Sequence, residues 1–188
     1  MTITYRAYQS RLKSAESIVM KLKKDGYEVT IENMMECLSD IAGIRIICSF
    51  TSDIYQIAGM IAAQGDVTVL HVKDYIKNPK PNGYKSYHMV VTVPVYLTDG
   101  PVETKVEIQI RSVAMDFWAS LEHKIAYKFE GNAPENLLKE LKACADMWIY
   151  WMPKCFHLTR LSRHLQGAER KVGRILSEPI DKRDRPGN

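Results

Sequence analysis

Four stretches set charged or polar residues into otherwise apolar surroundings, and each holds residue types used in phosphate or metal chemistry. Arg11-Leu12-Lys13-Ser14 offers two cations and a hydroxyl. At a helix start, free N–H groups and the dipole would add to an anion site there, although the same residues would also suit a solvated helix face. Asp40 stands just ahead of Gly43-Ile44-Arg45-Ile46-Ile47. A carboxylate at a strand end can hold a metal, and an arginine inside an apolar strand needs a partner or a ligand. An ion pair between Asp40 and Arg45 would satisfy both without a ligand. The third stretch crowds Lys73, Lys77, Lys80, Lys85, Tyr75, Tyr84 and His88 around the loop Asn78-Pro79-Lys80-Pro81-Asn82-Gly83. Its lysines suit phosphate, and a tyrosine beside a glycine can lie flat against a base; a generic surface loop is the plainer reading. The fourth is Glu107-Ile108-Gln109-Ile110-Arg111, where strand alternation sends Glu107, Gln109 and Arg111 to one face. That face is either catalytic or simply solvent-exposed. Asp40 and Glu107 on neighbouring strands could hold Mg²⁺, which binds through one or two carboxylates plus substrate phosphates. Spacing alone therefore reaches an Mg²⁺-dependent nucleotide or phosphate enzyme.

The elements that would position these residues can be read from periodicity and turn residues. Residues 10–25 read as a basic amphipathic helix with Leu12, Ile18, Val19 and Leu22 on its apolar side and Gly26 at its end. A short helix over 31–38 leads to a buried strand over 43–50. Thr51-Ser52-Asp53 then caps a helix that runs to about residue 63. A strand over 67–72 precedes the Pro/Gly loop. Strands over 87–95 and 104–110 flank Leu97-Thr98-Asp99-Gly100-Pro101 as an antiparallel hairpin. Helices follow over 115–129, bearing Trp118, Glu122, His123, Lys124 and Tyr127, and from Pro134 to about 145. A histidine in such a helix is more commonly a packing residue than a catalyst. Strands and helices intermingle without regular βα repetition, so an α+β fold with a mixed sheet covered by helices is expected.

The chain has 188 residues, 46% hydrophobic and 26% charged, which suits one globular domain with a tail. It holds no run of apolar residues long enough to span a membrane, and Met1 to Arg6 lack the core of a signal peptide. A cytoplasmic location is the expectation. The net charge of +4 permits an anionic partner without demanding nucleic acid. Cys37, Cys48, Cys144 and Cys155 include no C-x-x-C pair, so buried free thiols are expected.

Taken together, RLKSAESI, DIAGIRIICSF, KDYIKNPKPNGYKSYH and VEIQIRSVAMDFWASLEHKIAYK resemble the small alarmone synthetases, in family order and spacing over residues 10–145. These are the stand-alone members of the family that makes guanosine tetra- and pentaphosphate. The resemblance implies a nucleotidyltransferase-like mixed β-sheet flanked by helices. It implies transfer of the β,γ-diphosphate of ATP to the 3′-hydroxyl of GDP or GTP, with release of AMP. It assigns Asp40 and Glu107 to Mg²⁺, with Glu107 also helping to deprotonate the 3′-hydroxyl. Arg11 and Arg45 would sandwich adenine and Tyr84 would stack on guanine. Lys13, Ser14, Lys80, Lys85 and His88 would contact phosphate, and Gln109 and Arg111 fall on the active face. A homo-oligomer, tetrameric in small members, is implied as well. His71-Val72-Lys73-Asp74 stands where many longer members carry R-x-K-D.

Two rival readings accompany this one: a truncated or degenerate homologue that binds nucleotides without turnover, and a relative that diphosphorylates the 3′ end of tRNA. The family pattern places one or more helices ahead of Arg11, so residues 1–148 read as the synthetase domain with its first helix missing. Residues 149–188 read as an atypical, poorly ordered basic tail. Back-translated into the adjacent frame, Tyr150 to Arg160 can spell Leu-Asp-Ala-Lys-Met-Phe-Ser-Phe-Asn-Lys, similar to the family's continuation. A frameshift product is therefore the expectation for the tail.

Overall fold

Alternating apolar residues on adjacent strands give the sheet one dry face and one polar face. The computed structural model describes residues 5–130, 132–147, 150, 151, 154, 155, 157, 158 and 161. Five strands, β1 (Tyr5–Leu12), β2 (Ala42–Cys48), β3 (Thr68–Asp74), β4 (Tyr87–Leu97) and β5 (Gly100–Ser112), form one sheet in the order β1-β2-β5-β4-β3. The β2–β5 pair is parallel and the other pairs are antiparallel. Helices are α1 (Ala15–Lys24), α2 (Ile31–Cys37), α3 (Thr51–Ala62), α4 (Val113–Lys128) and a stretch over 135–147, α5. This is the mixed α+β architecture that the sequence implies.

On the dry face, Cys48, Met89, Val91, Ile108 and Ile110 bury against Ile54 and Ala58 of α3. Full burial of an aliphatic side chain contributes about 1.5–3 kcal/mol, so this cluster fixes the register. On the opposite face the register aligns Gln9, Arg45, Gln109, His88 and Lys73 in one row across all five strands. The neighbouring row carries Arg11, Gly43 and Glu107. Residues paired across strands share a face, so the polar residues of distant sequence stretches converge here.

The first helix differs from its sequence reading. Residues 10–12 belong to β1, and the helix starts only at Ala15, after Ser14, whose hydroxyl accepts the Ser17 N–H at 3.3 Å. Pairing with β2 outweighs helical periodicity in this stretch. Leu12, assigned by periodicity to an apolar helix face, is 80% exposed on the edge strand. Asp53 does cap α3, but as its third residue, with its carboxylate accepting the Phe50 N–H at 3.3 Å. Of the four cysteines only Cys48 is buried, and burial pushes its thiol up to about 12. Cys37 and Cys155 are exposed.

The chain divides into two units, residues 1–148 and 149–188, the first containing the sheet and α1–α5. In the second, the described residues among 150–161 are helical, although the sequence shows no helical face there. Its Lys154 ammonium lies 3.9 Å from the Tyr150 ring centroid. Residues 162–188, most of the expected poorly ordered, frameshifted tail, lie outside the described residues. Among the described residues no helix is long and apolar enough to cross a membrane.

The Pro/Gly loop is closed by Gly83 N–H to Lys80 carbonyl at 2.9 Å and Lys80 N–H to Tyr84 carbonyl at 3.2 Å. This needs a glycine: Gly83 has φ +91°, and a Cβ there would meet the Ala145 Cβ of α5 at 2.9 Å. Left-handed backbone costs an ordinary residue about 1–2 kcal/mol, and overpacking adds about 1–3. Gly83→Ala is therefore expected to lower unfolding free energy by roughly 2–4 kcal/mol in urea titration, at an unchanged m-value. A loss under about 0.5 kcal/mol would show that the loop is not seated on α5.

Candidate active site

The polar face of the sheet is organised around a buried arginine. Arg111, near the end of β5, is only 5% exposed, and its guanidinium donates to four acceptors. Nε reaches the Ser86 hydroxyl at 3.3 Å, and one terminal nitrogen reaches Asp116 at 3.2 Å. The other reaches the Tyr84 hydroxyl at 2.6 Å and the Gln109 carbonyl at 3.0 Å. A buried guanidinium is tolerated only when paired and hydrogen-bonded, and here it is both. Asp116 sits in the first turn of α4, whose N-cap Ser112 directly follows Arg111.

Two paths of hydrogen bonds run from Arg111 to Glu107. The Gln109 amide donates to Glu107 Oε2 at 2.9 Å. On the other side, the Tyr84 hydroxyl lies 2.9 Å from His88 Nε2, and His88 Nδ1 lies 3.2 Å from Glu107 Oε1. The two paths close a ring. The His88 hydrogen bond, and after it the Gln109 amide, hold the Glu107 carboxyl below its ordinary value against partial burial and the charge of Asp40. Glu107 is thus a fixed carboxylate with both oxygens engaged.

Arg45 faces the same side from β2. Its partner is not Asp40, the ion pair that the sequence left open, but Asp116, at 3.6 Å. Asp116 therefore lies between two guanidiniums. Burial, and then the neighbouring Arg111 charge, lower the pKa of Arg45. Its Nε is buried with no hydrogen-bond partner among the described residues. Arg45 also borders two clefts. One, of about 110 Å³, is lined by Arg11, Gly43, Arg45, Glu107 and Gln109 among others. The second, of about 440 Å³, is lined by Arg45, Tyr84, Arg111, Ala119, Glu122 and His123 among others. Gly43 keeps the first open, because the Arg11 side chain lies 3.4 Å from where a Cβ would stand.

Asp40 is clamped by two ammoniums, Lys13 at 2.5 Å and Lys21 at 2.8 Å. Burial by itself would raise the Asp40 carboxyl, but the hydrogen bonds and charges of these lysines outweigh it and hold it below its ordinary value. The charge of Asp40 reaches Glu107 and opposes the lowering of its carboxyl. Among the described residues no three His, Cys, Asp or Glu side chains cluster as metal ligands. The donor set here is two ionised carboxylates, which suits a cation that takes its other ligands from substrate and water, as Mg²⁺ does.

The structure brings together Arg11, Arg45, Tyr84, His88, Glu107, Gln109 and Arg111, with Asp40 and Lys13 beside them. The Lys80 ammonium lies 5.0 Å from the centroids of both the Tyr84 and Tyr75 rings. Ser14 is taken up as the α1 cap. Lys85 has its pKa lowered by burial while Asp146 of α5 opposes the shift, and it is not bonded to the ring. Sequence reasoning missed Asp116 and Lys21 and gave Ser86 no role, whereas Tyr75, read as part of the third stretch, does pack against Tyr84 and His88. The signal for Asp116 was present: two arginines inside apolar strands require a carboxylate, and Asp116 follows Arg111 by one helical turn. Asp74, read as part of a site loop, accepts the backbone N–H groups of Ile76 and Lys77 at 3.0 Å and so shapes the turn.

Residues 10–132 match the sequence profile of the region found in RelA/SpoT proteins. The GTP pyrophosphokinase YwaC of Bacillus subtilis (strain 168) is 52% identical over 142 residues, covering 76% of this chain and 68% of the relative. The small alarmone synthetase 2 of Bacillus subtilis has the same fold, with TM-score 0.75, 46% identity, and coverage of 84% of this chain and 82% of that one. The small alarmone synthetase 1 of Bacillus subtilis bound to its product pppGpp aligns with TM-score 0.74 and 34% identity, over 82% of this chain and 78% of that one.

The depressed carboxyls have a consequence for acid stability. A group with a lowered folded pKa stabilises fully above its unfolded value, about 4 for Asp and Glu, and loses that contribution as pH falls through the folded value. The melting temperature is expected to fall from pH 5 to pH 3, and Asp40→Asn is expected to flatten that fall. Parallel melting curves of the two proteins across this range would show that the Lys13–Asp40–Lys21 clamp contributes nothing.

Proposed function

The chain belongs to the RelA/SpoT family, and on that footing we propose that it is a GTP pyrophosphokinase moving the β,γ-diphosphate of ATP onto the 3′-hydroxyl of GDP or GTP. One observation carries this reading. Two clefts share Arg45, and the ionised Glu107 that lines the first is hydrogen-bonded to the Arg111 and Tyr84 assembly that lines the second. A carboxylate in the wall of one recess, tied through Gln109 and His88 to the Arg111 and Tyr84 that line the next, suits a two-nucleotide transfer.

In this assignment adenine lies between the guanidinium planes of Arg11 and Arg45, a cation–π arrangement that arginine supports better than lysine. Guanine stacks on Tyr84. Lys13, Lys80 and Lys85 bring cations to the phosphates, with Ser14 at the start of α1 beside Lys13. The 3′-oxygen attacks the β-phosphorus of ATP, the bond from that phosphorus to the oxygen bridging the α-phosphate breaks, and AMP leaves with the electron pair. Glu107 takes the 3′-hydroxyl proton as the new bond forms. Its low pKa makes it a weak ground-state base. Phosphoryl-type transfer depends chiefly on positioning and charge neutralisation, so a fixed carboxylate suffices. Asp40 and Glu107 would hold Mg²⁺, which would neutralise charge on the phosphate oxygens. Lys13 and Lys21 now neutralise Asp40 and would be freed toward phosphate. A cytoplasmic homo-oligomer, tetrameric as in small family members, completes the proposal.

The test is γ-labelled ATP with Mg²⁺ and GDP or GTP, with nucleotide products separated and AMP counted. Label in the guanosine product with equimolar AMP is expected, and Glu107→Gln should lower the rate by about 10²-fold or more. A folded, nucleotide-binding protein that releases no AMP would overturn the reading. Label transferred only to added tRNA would reassign the acceptor.

A further inference from the structure

Both nitrogens of His88 are committed within the protein, one to the Tyr84 hydroxyl and one to Glu107. Donor rules then fix the direction of every bond in the ring. The Arg111 guanidinium has only donors, so the Tyr84 oxygen accepts from it at 2.6 Å. If His88 Nε2 also carried a proton, that oxygen would take both of its donors and the hydroxyl hydrogen would have no acceptor among the described residues. The Tyr84 hydroxyl therefore donates to a bare Nε2, and the Nδ1–H donates to Glu107. The second path runs the same way, with Gln109 accepting from Arg111 and donating to Glu107. Tyr75 packs edge-on against both rings, at 5.2 Å from His88 and 5.9 Å from Tyr84, which holds their planes.

We propose that the Tyr84 hydroxyl and His88 form a one-way hydrogen-bond relay by which the ring that takes the acceptor base also orients the Glu107 carboxylate. Tyr84 thus has two separable parts. Its ring binds, and its hydroxyl positions Glu107 through His88. His88 is a positioning residue rather than a phosphate ligand. The inference rests on the pyrophosphokinase reading for the identity of the base, but the hydrogen-bond pattern does not depend on it.

Two readouts test the relay. In the nucleotide-free protein, long-range ¹⁵N–¹H spectra of the histidine rings, with His88 assigned by its loss in His88→Gln, should show a protonated Nδ1 and a bare Nε2 at neutral pH. In Tyr84→Phe the Nδ1–H to Glu107 remains, so Nδ1 should stay protonated while the Nε2 resonance shifts as it loses its donor. In turnover, Tyr84→Phe keeps the stacking ring and should lower kcat about tenfold, the loss of one hydrogen bond's orientation, with KM for GTP within twofold of the parent. Tyr84→Leu, lacking the ring, should raise KM as well. A proton on Nε2 in the parent protein, whether as the Nε2–H tautomer or as the imidazolium, or equal kcat in the parent and Tyr84→Phe, would overturn the relay while leaving the pyrophosphokinase reading intact. Absence of product from the parent protein would instead overturn that reading, and the tautomer measurement would still decide the relay.

Discussion

A guanidinium buried under a sheet must satisfy its N–H groups locally, and at Arg111 this requirement organises the whole polar face. Its acceptors come from the loop before β4, from β5 and from the first turn of α4. Removing any one leaves a desolvated donor, at a cost of about 1–3 kcal/mol or more for a charged group. The arginine thus ties Tyr84, Gln109 and Asp116 to one another, and through them holds Glu107 and Arg45. The carboxylate at the centre of the site is positioned at second hand, by groups whose own places are set by a buried charge.

The dry face makes that arrangement possible. Ile108 and Ile110 are pinned against α3, so β5 cannot slip by one residue without turning Glu107, Gln109 and Arg111 into the core. Two glycines then do complementary work. Gly43 leaves a gap in which the Arg11 side chain passes toward Glu107, and Gly83 lets the loop before Tyr84 press against α5. The α4–α5 contact, sealed by the Trp118 indole donating to the Leu141 carbonyl at 2.8 Å, backs the Tyr84 ring. A residue on α5, Ala145, therefore limits where the Tyr84 ring can lie.

Much of this was legible in one dimension because it depends on local chemistry. Strand alternation separates Glu107 and Gln109 from Ile108 and Ile110, and Pro79, Pro81 and Gly83 announce a loop. The motif spellings carry the family. The missed elements are those whose identity depends on distant partners. Residues 10–12 have helical periodicity, and only the edge of β2 draws them into a strand. Asp40 and Arg45 are five residues apart and oppositely charged, yet each finds a different partner, because β2 carries Arg45 toward α4 while Asp40 stays beside α1.

From sequence alone come the mixed α+β fold, the family and the set of polar residues brought to one face, since these follow from side-chain type, two- and 3.6-residue periods and motif order. Tertiary structure alone decided the pairings: which carboxylate answers which cation, that His88 is engaged at both nitrogens, and that Asp116 and Lys21 belong to the assembly. The reason is physical. A side chain's preference for burial or for a face is set by its own chemistry, whereas a hydrogen bond or ion pair exists only at about 3 Å, and contacts at that range between distant residues are settled only when the sheet closes.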